Sequence, residues 1–250
     1  MSRNLEVLEQ LQQDRELFRT APVGTREPAY SPQARVKLPA VLDTDQFGRE
    51  ELLRLTQQLF LLADGKGHTG PKKVVFCGID EIGGTNSLCA QLGRTLASQV
   101  SSQVCIVDSN VRAPALHHLF EAELSDRQIS PAVAVQLLRR LTGNLWLISG
   151  HSATNAGVSA SLDQVCSQIA QLPLEFAYVI ISAPPVGMHA DAVLMGQRAD
   201  GIVLVLEANS TRRVVARKAK ELLASANVRL LGTVLNNRTF PIPERVYHML

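Results

Sequence analysis

YVIISAPPVG, residues 178–187, decides the fold of this 250-residue chain. Four apolar or β-branched residues run into Ser182, and Ala183-Pro184-Pro185 then stop the run abruptly. An unalternating apolar run of this length fits a strand buried on both faces, and two prolines cannot continue a ladder of backbone hydrogen bonds. The stretch is therefore expected to end at the carboxyl edge of a sheet.

Outward from it, strand, glycine-rich loop and helix recur. VVFCGI (74–79), VCIVD (104–108), LWLIS (145–149), GIVLVLEA (201–208) and LLGTVLN (230–236) read as further buried strands. Helices are expected at 86–99, 161–172, about 190–198 and about 211–226. Continuous apolar strands alternating with helices imply an α/β fold, a doubly wound and mainly parallel sheet covered on both faces. Before it, residues 4–19 place Leu5, Leu8, Leu11 and Phe18 in a narrow apolar stripe, and residues 20–47 carry four prolines without periodicity. An amphipathic helix is expected at about 49–63, ended by Gly65, Gly67 and Gly70. The resulting division is an amino-terminal helix (1–20), a linker (21–48), the main domain (49–240) and a tail (241–250).

Composition narrows the function. The formal charge is +2, too balanced to suggest nucleic-acid binding. Cys77, Cys89, Cys105 and Cys166 form no Cys-x-x-Cys pair and read as small buried hydrophobes. The start, MSRNLEVLEQ, is charged and periodic, unlike a signal peptide, and no apolar run approaches the ~18–20 residues of a membrane span. A cytoplasmic protein is expected.

GIDEIGGT (78–85) fits the outline of a phosphate loop, G-x-x-x-x-G-K-[ST], in which backbone amides and a helix start cradle an anion. Gly84 stands where the lysine belongs; shifting the frame by one puts Thr85 there instead. No lysine occurs between Lys73 and Lys218. By itself the loop reads equally well as a plain strand-to-helix turn.

The surrounding segments point to a family. VCIVDSNVRAPALHHLF (104–120) resembles the LLIDADLRRPSLHKLF motif of the bacterial tyrosine kinases of capsule and exopolysaccharide synthesis. YVIISAPPVGMHADA (178–192) resembles their YVIIDTPPV…DA, and residues 201–223 and 230–238 resemble their later strand, arginine helix and adenine-side strand. Glu51-x-x-Arg54-x-x-Gln57 is similar to the E-x-x-R-x-x-R helix through which members form rings. The broader superfamily is that of the septum-site and plasmid-partition ATPases.

The resemblance implies a nucleotide site at Gly83, Gly84, Thr85, Asn86, Ser87, Asp108 and Asn236, with Glu51 and Arg54 in self-association. The departures are equally specific. The loop lysine is replaced, Ser182 stands at the Mg²⁺-associated aspartate, and Asn110 and Ala113 replace the second acid and second arginine of DADLRRP. The family's tail holds a tyrosine cluster, whereas only Tyr247 lies in this tail. Phosphoryl transfer is catalysed by positioning and charge stabilisation, so losing a lysine and a carboxylate removes most of the machinery. The expectation is a degenerate, catalytically inactive relative, an accessory protein of polysaccharide export that binds a membrane co-polymerase, a cognate kinase or itself; the alternative is an active kinase or ATPase completed by a partner subunit. ATP and Mg²⁺ are implied only if the site still binds them.

Several residues have two readings. Asp108 is either a ligand to Mg²⁺-bound water or a cap on the loop after its strand. Asp191 reads as the cap of a helix starting near Ala192. His117 and His118 lack a third ligand at metal spacing and read as surface residues. Arg212 and Arg213 face an acidic partner, a neighbouring subunit or, as an ordinary helix face, water. FPIPERVYHML (240–250) reads as a short docking helix.

Overall fold

The computed structural model describes residues 46–62, 72–80, 84–111, 113–120, 138–149 and 176–237. The expected helices at 4–19 and 161–172, the linker to residue 45, Gly83, Cys166 and the tail lie outside the described residues.

Seven strands form one sheet: β1 Lys73–Gly78, β2 Val104–Asp108, β3 Leu138–Thr142, β4 Leu145–Ser149, β5 Tyr178–Ala183, β6 Gly201–Glu207 and β7 Leu230–Asn236. Their spatial order is β3-β4-β2-β5-β1-β6-β7. All neighbours pair in parallel except β3 and β4. The buried strand of residues 178–183 lies between β1 and β2, as its apolar run requires.

Period-two alternation sorts the central strands between two cores. Val75, Cys77, Val107, Val179 and Ile181 face one side, with α3 (Asp191–Gly196) and α4 (Arg213–Ser225). Val74, Phe76, Ile106 and Ile180 face the other, with α1 (Gln46–Thr56) and α2 (Thr85–Gln99). Gly93 lets α2 approach β2 closely, since a Cβ there would lie 2.7 Å from Ile106 Cγ1. Cys77, Cys89 and Cys105 are buried free thiols in these cores.

Two elements differ from the sequence reading. The helix expected at about 49–63 starts at Gln46, and over Gln57–Leu61 it widens to a π turn closed by Leu62 N donating to Gln57 O at 2.8 Å. Phe60 in this turn is buried and meets the Tyr178 ring edge-on, 6.0 Å between centroids. Strand β3 was not expected: Leu138 and Leu141 are buried while Arg139 and Arg140 interrupt the apolar run, and a register shift between Arg140 and Thr142 removes the period-two signal.

Among the described residues no helix is long and apolar enough to cross a membrane.

Candidate nucleotide site

The carboxyl ends of β1, β2 and β5 and the start of α2 meet at one edge of the sheet, where doubly wound folds place their ligands. Register fixes the first contact: Asp108 and Ser182 are directly paired residues on β2 and β5. Asp108, Ser109 and Ser182 are all buried.

Asp108 acts as a cap. Its Oδ1 accepts from Asn110 N at 3.1 Å, and its Oδ2 from Ala115 N at 3.0 Å and Leu116 N at 2.9 Å. Burial pushes its carboxyl up to about 6, against the pull of these amides and of His118. A carboxylate bound by three amides organises the chain from β2 to the short 3₁₀ turn Leu116–Phe120. The loop-cap reading of Asp108 thus has a direct geometric basis.

Ser182 lies in a hydrogen-bonded group of small neutral side chains. Its Oγ donates to Asn86 Oδ1, in the first turn of α2, at 2.6 Å. Its carbonyl accepts from Ser109 twice, from the amide and from the hydroxyl, each at 2.9 Å. One turn further along α2, burial raises the Cys89 thiol well above its ordinary range, while a hydrogen bond with the Ser182 side chain acts in the opposite direction. The sequence reading included Asn86 in the nucleotide site; in the structure its carboxamide oxygen accepts from Ser182.

Gly84 precedes α2 with φ +55°, a left-handed conformation that glycine adopts without strain. A Cβ there would lie 2.7 Å from Asn236 Nδ2, so the loop and the end of β7 touch at this point. Asn236 O accepts from Ala208 N at 2.9 Å, and Asn237 Nδ2 donates to Glu207 Oε1 at 2.8 Å, joining the ends of β6 and β7 beside the loop. Thr85 and Ser87 are half-buried in the first turn of α2. The structure thus assembles Gly84 with Asn236 and Asn86 with Ser182, while Asp108 is paired with Ser182 through the backbone.

The remaining candidates stand apart. Glu51 and Arg54 form an exposed pair within α1, Nη1 to Oε1 3.0 Å. Asp191 is not the helix cap expected: α3 begins one residue earlier than the reading placed it, so Ala190 is the cap position and Asp191 is the buried first residue. There an acid is favoured by the helix dipole. His117 and His118 stack, 3.9 Å between centroids, and no cluster of three or more metal-binding side chains occurs among the described residues. Arg212 and Arg213 are exposed at the start of α4. Sequence reasoning missed Ser109 and the Asn86–Ser182 bond; a serine ending each of two adjacent apolar strands was the available signal.

No family model matches the chain. It is 29% identical over 164 residues to the tyrosine-protein kinase YwqD of Bacillus subtilis, covering 62% of this chain and 68% of that protein. It is 39% identical over 61 residues to the tyrosine-protein kinase CpsD of Streptococcus agalactiae, a match to 24% of this chain and 27% of that kinase. Among solved structures, the chimerical protein CapA2B2 superposes with TM-score 0.61 at 16% identity, covering 92% of this chain and 99% of that one. A putative plasmid partition protein of Borrelia burgdorferi bound to AMPPNP gives TM-score 0.51 at 14% identity, over 72% and 81% of the two chains. In sequence the chain is thus similar to bacterial tyrosine-protein kinases, and its fold is the one found in the CapA2B2 chimera and in the plasmid partition protein.

Proposed function

We propose that this protein is an accessory or regulatory protein of bacterial capsule or exopolysaccharide synthesis and export, built on the kinase fold with its nucleotide chemistry removed. It acts by binding, either to a membrane polysaccharide co-polymerase or to a cognate kinase. The observation that carries this reading is the 2.6 Å hydrogen bond from Ser182 to Asn86. At the position where relatives hold a carboxylate for Mg²⁺-bound water, this chain has a neutral hydroxyl already committed to a neutral carboxamide. Three further features support it. No lysine lies between Lys73 and Lys218, Gly84 abuts Asn236, and the Asp108 carboxylate is taken up by three backbone amides. These residues do not fit a Mg²⁺-bound nucleoside triphosphate, whose charge needs a cation at the β/γ-phosphates and an acid near the metal.

With the site disarmed, the surfaces outside it carry the function. The Glu51/Arg54 helix offers a face for self-association, and the stripe of Leu5, Leu8, Leu11 and Phe18 suits helix-in-groove docking on a membrane component. The test combines two assays on the purified full chain. Mg²⁺-dependent ATP hydrolysis and tyrosine self-phosphorylation should both be absent, and the chain should be captured by the cytoplasmic part of a co-polymerase. Turnover of ATP by the chain, alone or with that partner, would establish the active-kinase reading instead.

A further inference from the structure

The charge of this chain is unevenly distributed. Residues 212–220 hold Arg212, Arg213, Arg217, Lys218 and Lys220 and no acid, which is +5 in a chain whose total is +2, leaving −3 for all the rest. The structure gives this segment a direction. Ala219 and Leu223 bury one side of α4, with Val215, Ala216 and Leu222 packed beside them. The opposite side carries Arg213, Arg217 and Lys220 at i, i+4 and i+7, one stripe along the helix, all exposed. Among the described residues no hydrogen bond or ion pair holds the head groups of these three. Glu221 is the single acid on the helix.

Apolar groups accompany the cations. Val214, next to Arg213, is 67% exposed, and Leu235 on β7 is 55% exposed. Leu235, Leu206 and Ala216 form the apolar wall of an open groove of about 390 Å³ that Arg213 borders, with Glu207 also lining it. A convex helix with a cationic stripe, uncommitted head groups and exposed apolar side chains at one end matches an interface between anionic headgroups and acyl chains. A purely acidic segment would meet the cations but leave the exposed Val214 and Leu235 without an apolar partner, which a lipid surface supplies.

We propose that the outer face of α4 docks this protein directly on an anionic phospholipid surface, Arg213, Arg217 and Lys220 meeting the phosphates and Val214 and Leu235 the apolar boundary. This goes beyond the proposed function, which needs only a protein partner at the membrane, and the following experiment contains no such partner.

The test is co-sedimentation of the full chain with vesicles of phosphatidylcholine alone or with about one-third phosphatidylglycerol. The expected result is binding to the anionic vesicles only, released by raised salt. The R213E/R217E/K220E variant should lose at least about a hundredfold in vesicle affinity, whereas Arg229→Glu, an exposed charge reversal outside α4, should change it less than about threefold. R213Q/R217Q/K220Q should fall between, and an unchanged melting temperature in these variants shows that folding is not the cause. Equal binding to both vesicle types, no binding to either, or full binding by the triple variants would overturn the proposal. So would polyglutamate or nucleic acid binding more tightly than the vesicles, since the face would then belong to an acidic macromolecule.

Discussion

Ser182 Oγ lies 2.6 Å from Asn86 Oδ1, across 96 residues of sequence, and donates its hydroxyl proton to it. The bond ties the carboxyl end of a central strand to the first turn of the helix that follows the glycine loop. It places a satisfied neutral pair in a buried spot where a free carboxylate would carry charge. Desolvating a charge costs several kcal/mol, whereas a paired hydroxyl and carboxamide cost little, so a neutral pair is the less costly occupant of this position.

The energetic consequence is measurable. Ser182→Ala should destabilise the protein by about 1–2 kcal/mol, because Asn86 Oδ1 loses its donor in a partly buried site. Asn86→Ala should cost a similar amount, and the double variant less than the sum, since both remove the same bond. Urea denaturation of the four proteins checks this; strict additivity would mean that the bond does not form.

The two frames of the glycine loop respond differently to repair. Gly84→Lys forces a side chain into φ +55° with its Cβ 2.7 Å from Asn236 Nδ2, and should destabilise by about 1–3 kcal/mol without gaining ligand. Thr85 is already in right-handed helix, so Thr85→Lys with Ser182→Asp should fold and gain measurable ATP·Mg²⁺ affinity by calorimetry. A well-folded Thr85→Lys/Ser182→Asp protein that binds nothing would mean that the pocket has closed as well as lost its charges.

Asp108 sets a pH dependence. Its carboxyl rises from 3.8 in the unfolded chain to about 6 in the fold, chiefly through burial. The folded state therefore holds this proton more tightly than the unfolded one. Its contribution to stability is complete below the lower value and is lost as pH rises through about 6. Asp108→Asn abolishes that titration, so the stability of the wild type relative to the variant should fall between pH 4 and 7 and then level off. At pH 4 both side chains are neutral and offer one donor group and one acceptor group, so the two proteins should differ least there in how they satisfy the three amides. A pH-independent difference in denaturation midpoint would contradict this account.

Much of the fold was legible because buried parallel strands are written as plain apolar runs. VVFCG, VCIVD, LWLIS and YVIIS needed no partner to be recognised. Strand β3 was not legible, since Arg139 and Arg140 sit on an edge hairpin where exposure permits charge and a register shift breaks the alternation. The π turn was equally hidden, because the apolar pattern of residues 57–61 is the same for an α and a π turn, and the buried Phe60 meets Tyr178 only in the tertiary fold. At the site, glycine spacing located the loop and the strand end located Ser182. Which side chains meet there depends on sheet register and helix phase, and these bring Asn86 to Ser182 and Gly84 to Asn236. The same limit explains Asp191, whose role changed with a one-residue shift in the start of α3.

The Glu51–Arg54 pair, exposed and three residues apart, should contribute less than about 0.5 kcal/mol to folding. Arg54→Glu should therefore leave the melting temperature nearly unchanged while weakening self-association in light scattering. A large loss of stability would assign this helix to the core of the domain instead of to its assembly.

The central claim is that the site is disarmed, and isothermal calorimetry of ATP·Mg²⁺ on the full-length chain tests it most directly. A missing phosphate lysine alone removes a charge-assisted contact of about 1.5–3 kcal/mol, at least tenfold in affinity, and the absent carboxylate weakens the metal further. The account predicts no binding or a dissociation constant weaker than about 100 µM, near −5.5 kcal/mol. A sub-micromolar dissociation constant would contradict it.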